Sequence, residues 1–361
     1  MKIVGTIVEY NPLHNGHIYA LKEIKRLSQA DMIVAVLSGN FTMRGDLSIF
    51  DKFEKTKQAL QAGIDLVIEL PSVCAVQNAD LFAKNAVKLL HLAKVKELWI
   101  GSESNDPSLY EKCYQNWIKS SSQEKIKELL AIGKSYKEAT ASIIDLPSND
   151  LLGFSYYKAI KEESYSISIH TIKRIGSYNS LEAKEYASAY AIRNNLSLID
   201  TYCPTFINRD LIRDSGLLFP HLKYKILSSS IGELKEIFFV EEGLENRAKE
   251  ITTCSNLKEF IDLLSTKRYT KSRIQRMLFY ILFNITRQDI KNIGLNFIRI
   301  LGYSKPGKSY LNLIKKDTVI FTNIKEGLHP ILDIELKITK ILDMIYSSSS
   351  LKQEQGKPKE I

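Results

Sequence analysis

Short apolar runs alternate with amphipathic stretches through the first hundred residues. Residues 3–8, IVGTIV, have the character of a buried strand, and 18–27 then repeats apolar residues at helical spacing. A second strand is predicted over 32–37 and a second helix over 51–62. A third strand, 65–70, is stopped by Pro71, which has no N–H to give to a ladder. A third helix follows over 78–92, then a fourth strand over 97–100 that ends at Gly101. This alternation predicts an α/β fold, a Rossmann-like parallel sheet with helices on both faces. Ligands in such sheets gather beyond the carboxyl ends of the strands. The loops of interest are therefore 9–17, 38–46 and the turn at Gly101.

Beyond residue 100 the spacing turns mostly helical. Residues 107–145 read as a helical insertion, and LLGFSYYKAIK opens a helix capped by Asn149 or Asp150. A strand is expected over 166–172 and a helix over 181–194. Residues 205–290 are almost wholly helical in pattern, 297–301 and 319–321 form a short late α/β piece, and 331–346 is an amphipathic helix. The expected organisation is an α/β domain over 1–200 and a mostly helical basic domain over 201–347. The polar tail, 348–361, is expected to be disordered.

Composition narrows the class. The chain of 361 residues is 44% hydrophobic and 25% charged, as ordinary globular proteins are. No apolar run approaches the roughly 18–20 residues of a membrane helix. Glu9 and Asn11 break the N-terminal apolar stretch where a signal peptide would continue, so a cytoplasmic location is expected. Cys74, Cys113, Cys203 and Cys254 lie far apart with no C-x-x-C pair, against both a zinc ribbon and a disulfide scaffold. The net charge is +9, and residues 201–316 carry 20 Lys and Arg against 11 Asp and Glu, so the whole excess sits there. A basic second half beside a neutral first half suits a polyanion surface coupled to a separate chemical domain.

The stretch richest in chemistry is Val8-Glu9-Tyr10-Asn11-Pro12-Leu13-His14-Asn15-Gly16-His17, between the first strand and first helix. Pro12 delays the helix, Asn15 is its expected cap, and Gly16 leaves room for a ligand on the helix end. His14 and His17 then stand beside exposed backbone N–H groups, where a phosphate is favoured. Two imidazoles there can donate hydrogen bonds to a five-coordinate α-phosphate and to departing pyrophosphate. H-x-x-H is also half of a metal site, but zinc takes at least three protein ligands and no nearby Cys or His offers a third. Glu9 is open to three roles: holding a ribose hydroxyl, holding magnesium, or orienting His17.

The motif resembles the H-I-G-H signature of nucleotidyltransferases and class I aminoacyl-tRNA synthetases. A second signature of that superfamily, I-S-S-T-x-I-R, is similar to 187–193, ASAYAIR, where Ser188 and Arg193 match and Tyr190 replaces threonine. The resemblance implies that Ser188 and Arg193 hold the β- and γ-phosphates. Over nearly the whole chain, GTIVEYNPLHNGH, SGNFTMRGD, DLVIELP, IGSES, LPSNDLLGFSYYKAI, IKRIGSYN, KRYTKSRIQRML and RILGYSKPG resemble the tRNA(Met) cytidine acetate ligase family, in the family's order. Met43 departs from that family's glutamine before Arg44 and Gly45. The resemblance implies that ATP, accompanied by Mg2+, and acetate give acetyl-adenylate, which acylates the wobble cytidine of elongator tRNA(Met) to N4-acetylcytidine. It implies an ATP loop at 7–20, including Ile7 and Val8, with further contacts from Gly101, Asn149, Arg174 and Ile175.

Each of these positions has a plainer reading beside the functional one. Gly101 is also a turn glycine, Asn149 a helix cap, Arg174 a salt-bridge partner, and Asn40 a turn residue. The acceptor side is expected on Arg268, Lys271, Arg273 and Arg276. If 271–284 is helical, Ile274, Met277, Leu278 and Ile281 face the core, while Arg273, Arg276 and Tyr280 share another face suited to RNA. Pairing of those arginines with Glu241 or Glu242 is the alternative, and Arg209 and Arg213 are weaker candidates of the same kind. Neither DNA nor a membrane is expected as partner. Two other function classes stay open: a cofactor-forming adenylyltransferase, and a non-catalytic RNA-binding protein with a relict nucleotide fold.

Overall fold

A computed structural model describes residues 1–134, 136–174, 186–241, 243–291 and 294–361. Eight strands form one sheet: β1 (Ile3–Val8), β2 (Met32–Ser38), β3 (Leu66–Leu70), β4 (Glu97–Ser102), β5 (Ser168–Lys173), β6 (Phe297–Tyr303), β7 (Val319–Phe321) and β8 (Lys359–Glu360). Their order is β5-β4-β1-β2-β3-β6-β7, with β8 paired to β6. Strands β1 to β5 run parallel, and β6 is antiparallel to β3 through Leu66↔Tyr303 and Val67↔Gly302. From β1 the chain steps outward to β2 and β3, then returns to lay β4 and β5 on the other side. The order reverses between β1 and β4, and a crevice opens at such a point.

The helices used below are α1 (Asn15–Ser28), α2 (Lys52–Gln61), α3 (Ala79–Leu92), α4 (Ser148–Glu162), α5 (Ala189–Asn194), α6 (Lys271–Leu282) and α7 (Pro330–Tyr346). Strand β2 is buried at every position because both sheet faces are covered. Its Met32, Val34 and Val36 pack with Leu66, Ile68 and the α3 residues Phe82, Ala86 and Leu90. Its Ile33, Ala35 and Leu37 pack with Leu21 and Ile24 of α1 and Ala59 and Leu60 of α2. The insertion is helical as expected, in Ser108–Trp117, Ser120–Ala131 and Tyr136–Ala141. Helix α6 buries Ile274, Met277, Leu278 and Ile281, and its Phe279 meets Phe41 edge-on at 4.8 Å. Among the described residues no helix is long and apolar enough to cross a membrane.

Two sequence expectations change. The division at 200/201 does not hold in space, because β6 pairs with β3 and the late α/β piece completes the first sheet. The tail is ordered: Ser350–Glu354 is helical, and β8 pairs Lys359 with Gly302. The cause is a buried ion cluster. Lys52 Nζ lies 2.6 Å from Glu69, 2.5 Å from Glu354 and 3.4 Å from Glu335. Arg299 contacts Glu69 and Glu354, each at 2.6 Å. Three carboxylates face two cations, and burial pushes the Glu335 carboxyl up to about 7. Glu354 thus bridges Lys52 of α2 and Arg299 of β6, which polar composition alone cannot reveal.

Removing one partner of a buried ion pair costs about 3–5 kcal/mol, and Glu354 is a direct partner of both Lys52 and Arg299. Glu354→Ala is therefore expected to lower the unfolding midpoint in urea by an amount corresponding to about 3 kcal/mol. A midpoint equal to that of the wild type would show that the tail contributes nothing to the fold.

Candidate functional site

The first helix begins one residue earlier than the spacing suggests. His14, not Asn15, is the N-cap of α1, and Asn15 is the first helical residue. Nδ1 of His14 accepts the Gly16 N–H at 3.1 Å, and Nδ1 of His17 accepts the His14 N–H at 3.3 Å. Helix starts leave N–H groups without partners, and here two imidazoles fill the role that a carboxamide and a carboxylate fill elsewhere. The rings stack with centroids 3.8 Å apart, and Tyr10 lies 4.9 Å from His17. Gly16 is required by this fold-back, since a Cβ there would sit 2.9 Å from Cε1 of His14.

With both Nδ1 atoms accepting, each neutral ring carries its proton on Nε2. The rings are held neutral. Burial, followed by the charges of Arg174 and Arg193, pushes His14 down to about 3. Burial, then the neighbouring His14 and Arg174, holds His17 well below its ordinary range. What remains on each ring is one Nε2–H donor.

Both histidines line a cleft of about 270 Å³ at the β1/β4 reversal. Of the residues expected from sequence, Ile7, Val8, Glu9, Tyr10, Asn11, Gly16, Gly101, Asn149, Arg174, Ser188 and Arg193 line it too. Leu13 does not; it is fully buried in the core beneath α1, and Pro12 and Asn15 also lie off the cleft wall. Ile175 lies outside the described residues, as do 181–185 of the expected 181–194 helix, whose described part is α5. Gly101 gives room to Arg174, whose Cγ would be 3.2 Å from a Cβ placed there. Asn149 is not the cap of α4 but lies in its first turn, where its Nδ2 donates to Glu103 at 2.7 Å. Ser188 caps α5 by accepting the Ala191 N–H at 3.0 Å, and Arg193 donates to the Asn11 carbonyl at 2.6 Å.

The loop after β2 forms the opposite wall with Thr42, Met43, Arg44 and Asp46. Glu9 accepts the Met43 N–H at 2.7 Å and Asn11 accepts the Ile49 N–H at 2.9 Å, which ties the loop after β1 to the loop after β2. Burial raises the Glu9 and Asp46 carboxyls, and arginine charges oppose the rise at both. Gly45 has φ +86 and packs against α6, where a Cβ would come within 2.6 Å of the Arg276 nitrogen. Asp150, expected only as a residue of the helix start, pins the turn after β4. It accepts from Ser102 Oγ, from Tyr110 at 3.0 Å, and from the N–H groups of Glu103 and Ser104. Its only sequence signal is a carboxylate beside a helix start. Among the described residues, no group of three or more His, Cys, Asp or Glu could hold a metal ion.

The basic face is rearranged as well. Tyr280 is buried, donating to the Val76 carbonyl at 3.0 Å, so it is absent from the surface that Arg273 presents. Arg273 pairs with Glu241 at 2.8 Å, Lys271 with Asp262 at 2.5 Å, and Arg209 with Asp200 at 2.6 Å. Arg268 lies 5.8 Å from the Tyr269 ring, and Arg276 is largely buried against Phe239 and the Met43 carbonyl. Arg213 is buried between Asn40 and Asp51, and Asn40 itself accepts from Arg213 and the Lys52 N–H, so both are structural.

Parallel strands reversing around a cleft, with two capping imidazoles at a helix start and the arginines Arg174 and Arg193 lining it, define a nucleotidyltransferase-type α/β protein. Residues 1–357 match the family model HIGH Nucleotidyl Transferase. Within it, the chain belongs to the tRNA(Met) cytidine acetate ligase family. The ligase of that name from Bacillus subtilis strain 168 is 37% identical, covering 95% of this chain and 92% of its own. The one from Thermoanaerobacter sp. strain X514 is 38% identical over 97% of each chain. The apo crystal structure of Thermotoga maritima TmcAL matches with a TM-score of 0.90 at 28% identity, covering all of both chains. The crystal structure of the same protein bound with alpha-thio ATP matches at 0.85 and 29%, covering 99% of this chain and 97% of that one.

The depressed His14 pKa makes a stability prediction. Below pH 6.5 the unfolded chain takes up a proton that the folded chain refuses until about pH 3. The contribution is complete above 6.5 and is lost as pH falls toward 3. His14→Asn keeps a capping side chain without this linkage. Between about pH 7.5 and 5.5, urea unfolding of the wild type is expected to lose about 1.4 kcal/mol more than that of His14→Asn. Equal losses would mean that the folded ring is already protonated.

Proposed function

We propose that this chain is an ATP-dependent ligase that converts acetate to acetyl-adenylate, then acetylates N4 of the wobble cytidine of elongator tRNA(Met). AMP and pyrophosphate are the by-products. The reading is carried by the two Nε2–H donors at the start of α1, fixed in place because each Nδ1 is committed to the backbone. An acetate oxygen attacks the α-phosphorus as the bond to pyrophosphate breaks. Charge then grows on the phosphate oxygens, where the imidazoles of His14 and His17 donate. Arg174 and Arg193, which line the same cleft, compensate the remaining phosphate charge, and Ser188 lies at the start of α5 beside them.

Among the described residues Glu9 and Asp46 are the carboxylates lining this cleft, and Glu9 is engaged with the Met43 N–H. Mg2+ therefore fits the site chiefly as a companion of the phosphates, the usual manner for this ion. The family likeness supports the acceptor, and so do the exposed cations of α6 and its approach. Arg268, Lys271 and Arg273 form the RNA-facing set, exchanging carboxylate partners such as Asp262 and Glu241 for phosphates. Arg276 acts beneath them by holding the Met43 carbonyl.

Pyrophosphate exchange into ATP tests the proposal, and exchange is expected to require acetate and not tRNA. His17→Ala is expected to reduce exchange by about a hundred-fold or more while tRNA affinity changes by less than about two-fold. Lys271→Ala with Arg273→Ala is expected to spare exchange, weaken tRNA binding and make its salt dependence shallower. Exchange that ignores acetate and needs a pantetheine phosphate or a second nucleotide would instead identify a cofactor adenylyltransferase.

A further inference from the structure

Beside the nucleotide cleft lies a second and larger one, of about 850 Å³. That volume falls in the range, about 300–1,000 Å³, of cavities that enclose small ligands. Its walls come from four parts of the chain: the loop after β2, α5, the approach to the helix Leu218–Ser228, and α6 with the helix Leu257–Leu264. None of the phosphate-binding chemistry above uses this space. The two clefts nevertheless share four side chains, Arg44, Asp46, Tyr190 and Arg193. A ligand in the larger cleft therefore lies against the wall behind which the adenylate forms.

The shared wall has a definite chemistry. Tyr190 is 44% exposed and lines both cavities. It stands where the superfamily signature has threonine, so this chain offers an aromatic face at that point. Any base can lie on such a face. Asp46 accepts from Gln275 of α6, which holds its carboxylate at the boundary. A carboxylate accepts from the exocyclic amine of cytosine but opposes the O4 acceptor of uracil. Arg44, Arg193 and Lys271 line the same cleft, giving a nucleotide's phosphates a cationic path to the surface.

We propose that the second cleft is the acceptor-base pocket. It takes one unstacked cytidine of an RNA loop, its ring on Tyr190 and its amine hydrogen-bonded to Asp46. This rests on the ligase reading and adds to it the place and the selection of the base. A single-stranded loop makes the extrusion inexpensive, and the amine then faces the smaller cleft across the shared wall.

The test uses the full chain and an anticodon stem–loop RNA bearing 5-iodocytidine at the wobble position. Irradiation is expected to join that base to Tyr190, with the adduct lost in Tyr190→Ala and kept in Tyr190→Phe. In steady state, Tyr190→Ala is expected to raise KM for the RNA by about ten-fold, and Tyr190→Phe by less than about two-fold. In competition binding the wild type is expected to prefer the cytidine loop to its uridine counterpart by about ten-fold. Asp46→Asn is expected to erase most of that preference. An adduct mapped outside the second cleft, or a base preference untouched by Asp46→Asn, overturns the pocket. Acetate-dependent exchange without RNA judges the ligase reading separately. Exchange present with the adduct elsewhere removes the pocket alone, whereas absent exchange removes both.

Discussion

The first turn of α1 needs acceptors for its free N–H groups, and in this chain the acceptors are imidazole nitrogens. That requirement fixes much else. It sets the tautomer of both rings, brings them into a stack at 3.8 Å, and demands a glycine between them. It also explains why the pair stays uncharged, since two imidazolium ions so close, buried near Arg174, would repel one another. A histidine can cap with one nitrogen and keep the other for chemistry, which an asparagine at the same place cannot do in the same way.

The loop that carries these rings is held by its neighbours rather than by its own turns. Glu9 and Asn11 reach the loop after β2, and Arg193 returns to the Asn11 carbonyl. That second loop rests on α6 at Gly45, whose positive φ and lack of a side chain allow backbone to meet backbone. Lys55, buried beneath it, donates to the Ser38 and Gly39 carbonyls at 2.7 and 2.9 Å. The nucleotide cleft and the basic helix are consequently joined through one stretch of chain, 38–48, and not through a linker. Local opening of that stretch would disturb both sites together.

The parts legible in the sequence were those whose signals are local. Strand runs, the helical spacing of α1 to α3, and a pair of histidines at a strand–helix junction are all readable within a dozen residues. Asparagine is an ordinary capping residue, so the sequence points to Asn15, and no spacing rule says that a ring will fold back over Gly16. Tyr280 falls on the same predicted face as Arg273, yet its hydroxyl finds Val76 and Gln77 and lets the whole ring be buried. The tail misled for a related reason. Its composition is polar, but Glu354 meets Lys52 and Arg299, which come from elements far away in the chain. Long-range pairing of charges has no periodicity to detect.

Charge counting survives this better than charge placement does. Several cations proposed to meet RNA are in ion pairs, among them Lys271 and Arg273. Pairs inside 201–316, such as Lys271–Asp262 and Arg273–Glu241, leave the excess of that segment unchanged, whereas Arg209, Arg213, Arg299 and Lys308 pair with carboxylates outside it and draw part of the excess down. What pairing changes is the near field: a paired arginine attracts little at contact until its partner is displaced. The far field still depends on the excess, and it draws polyanions toward the helical half within roughly a Debye length, about 8–10 Å at moderate salt. The surface is thus suited to collecting a polyanion first and selecting its register afterwards, as partners such as Glu241 and Asp262 give way.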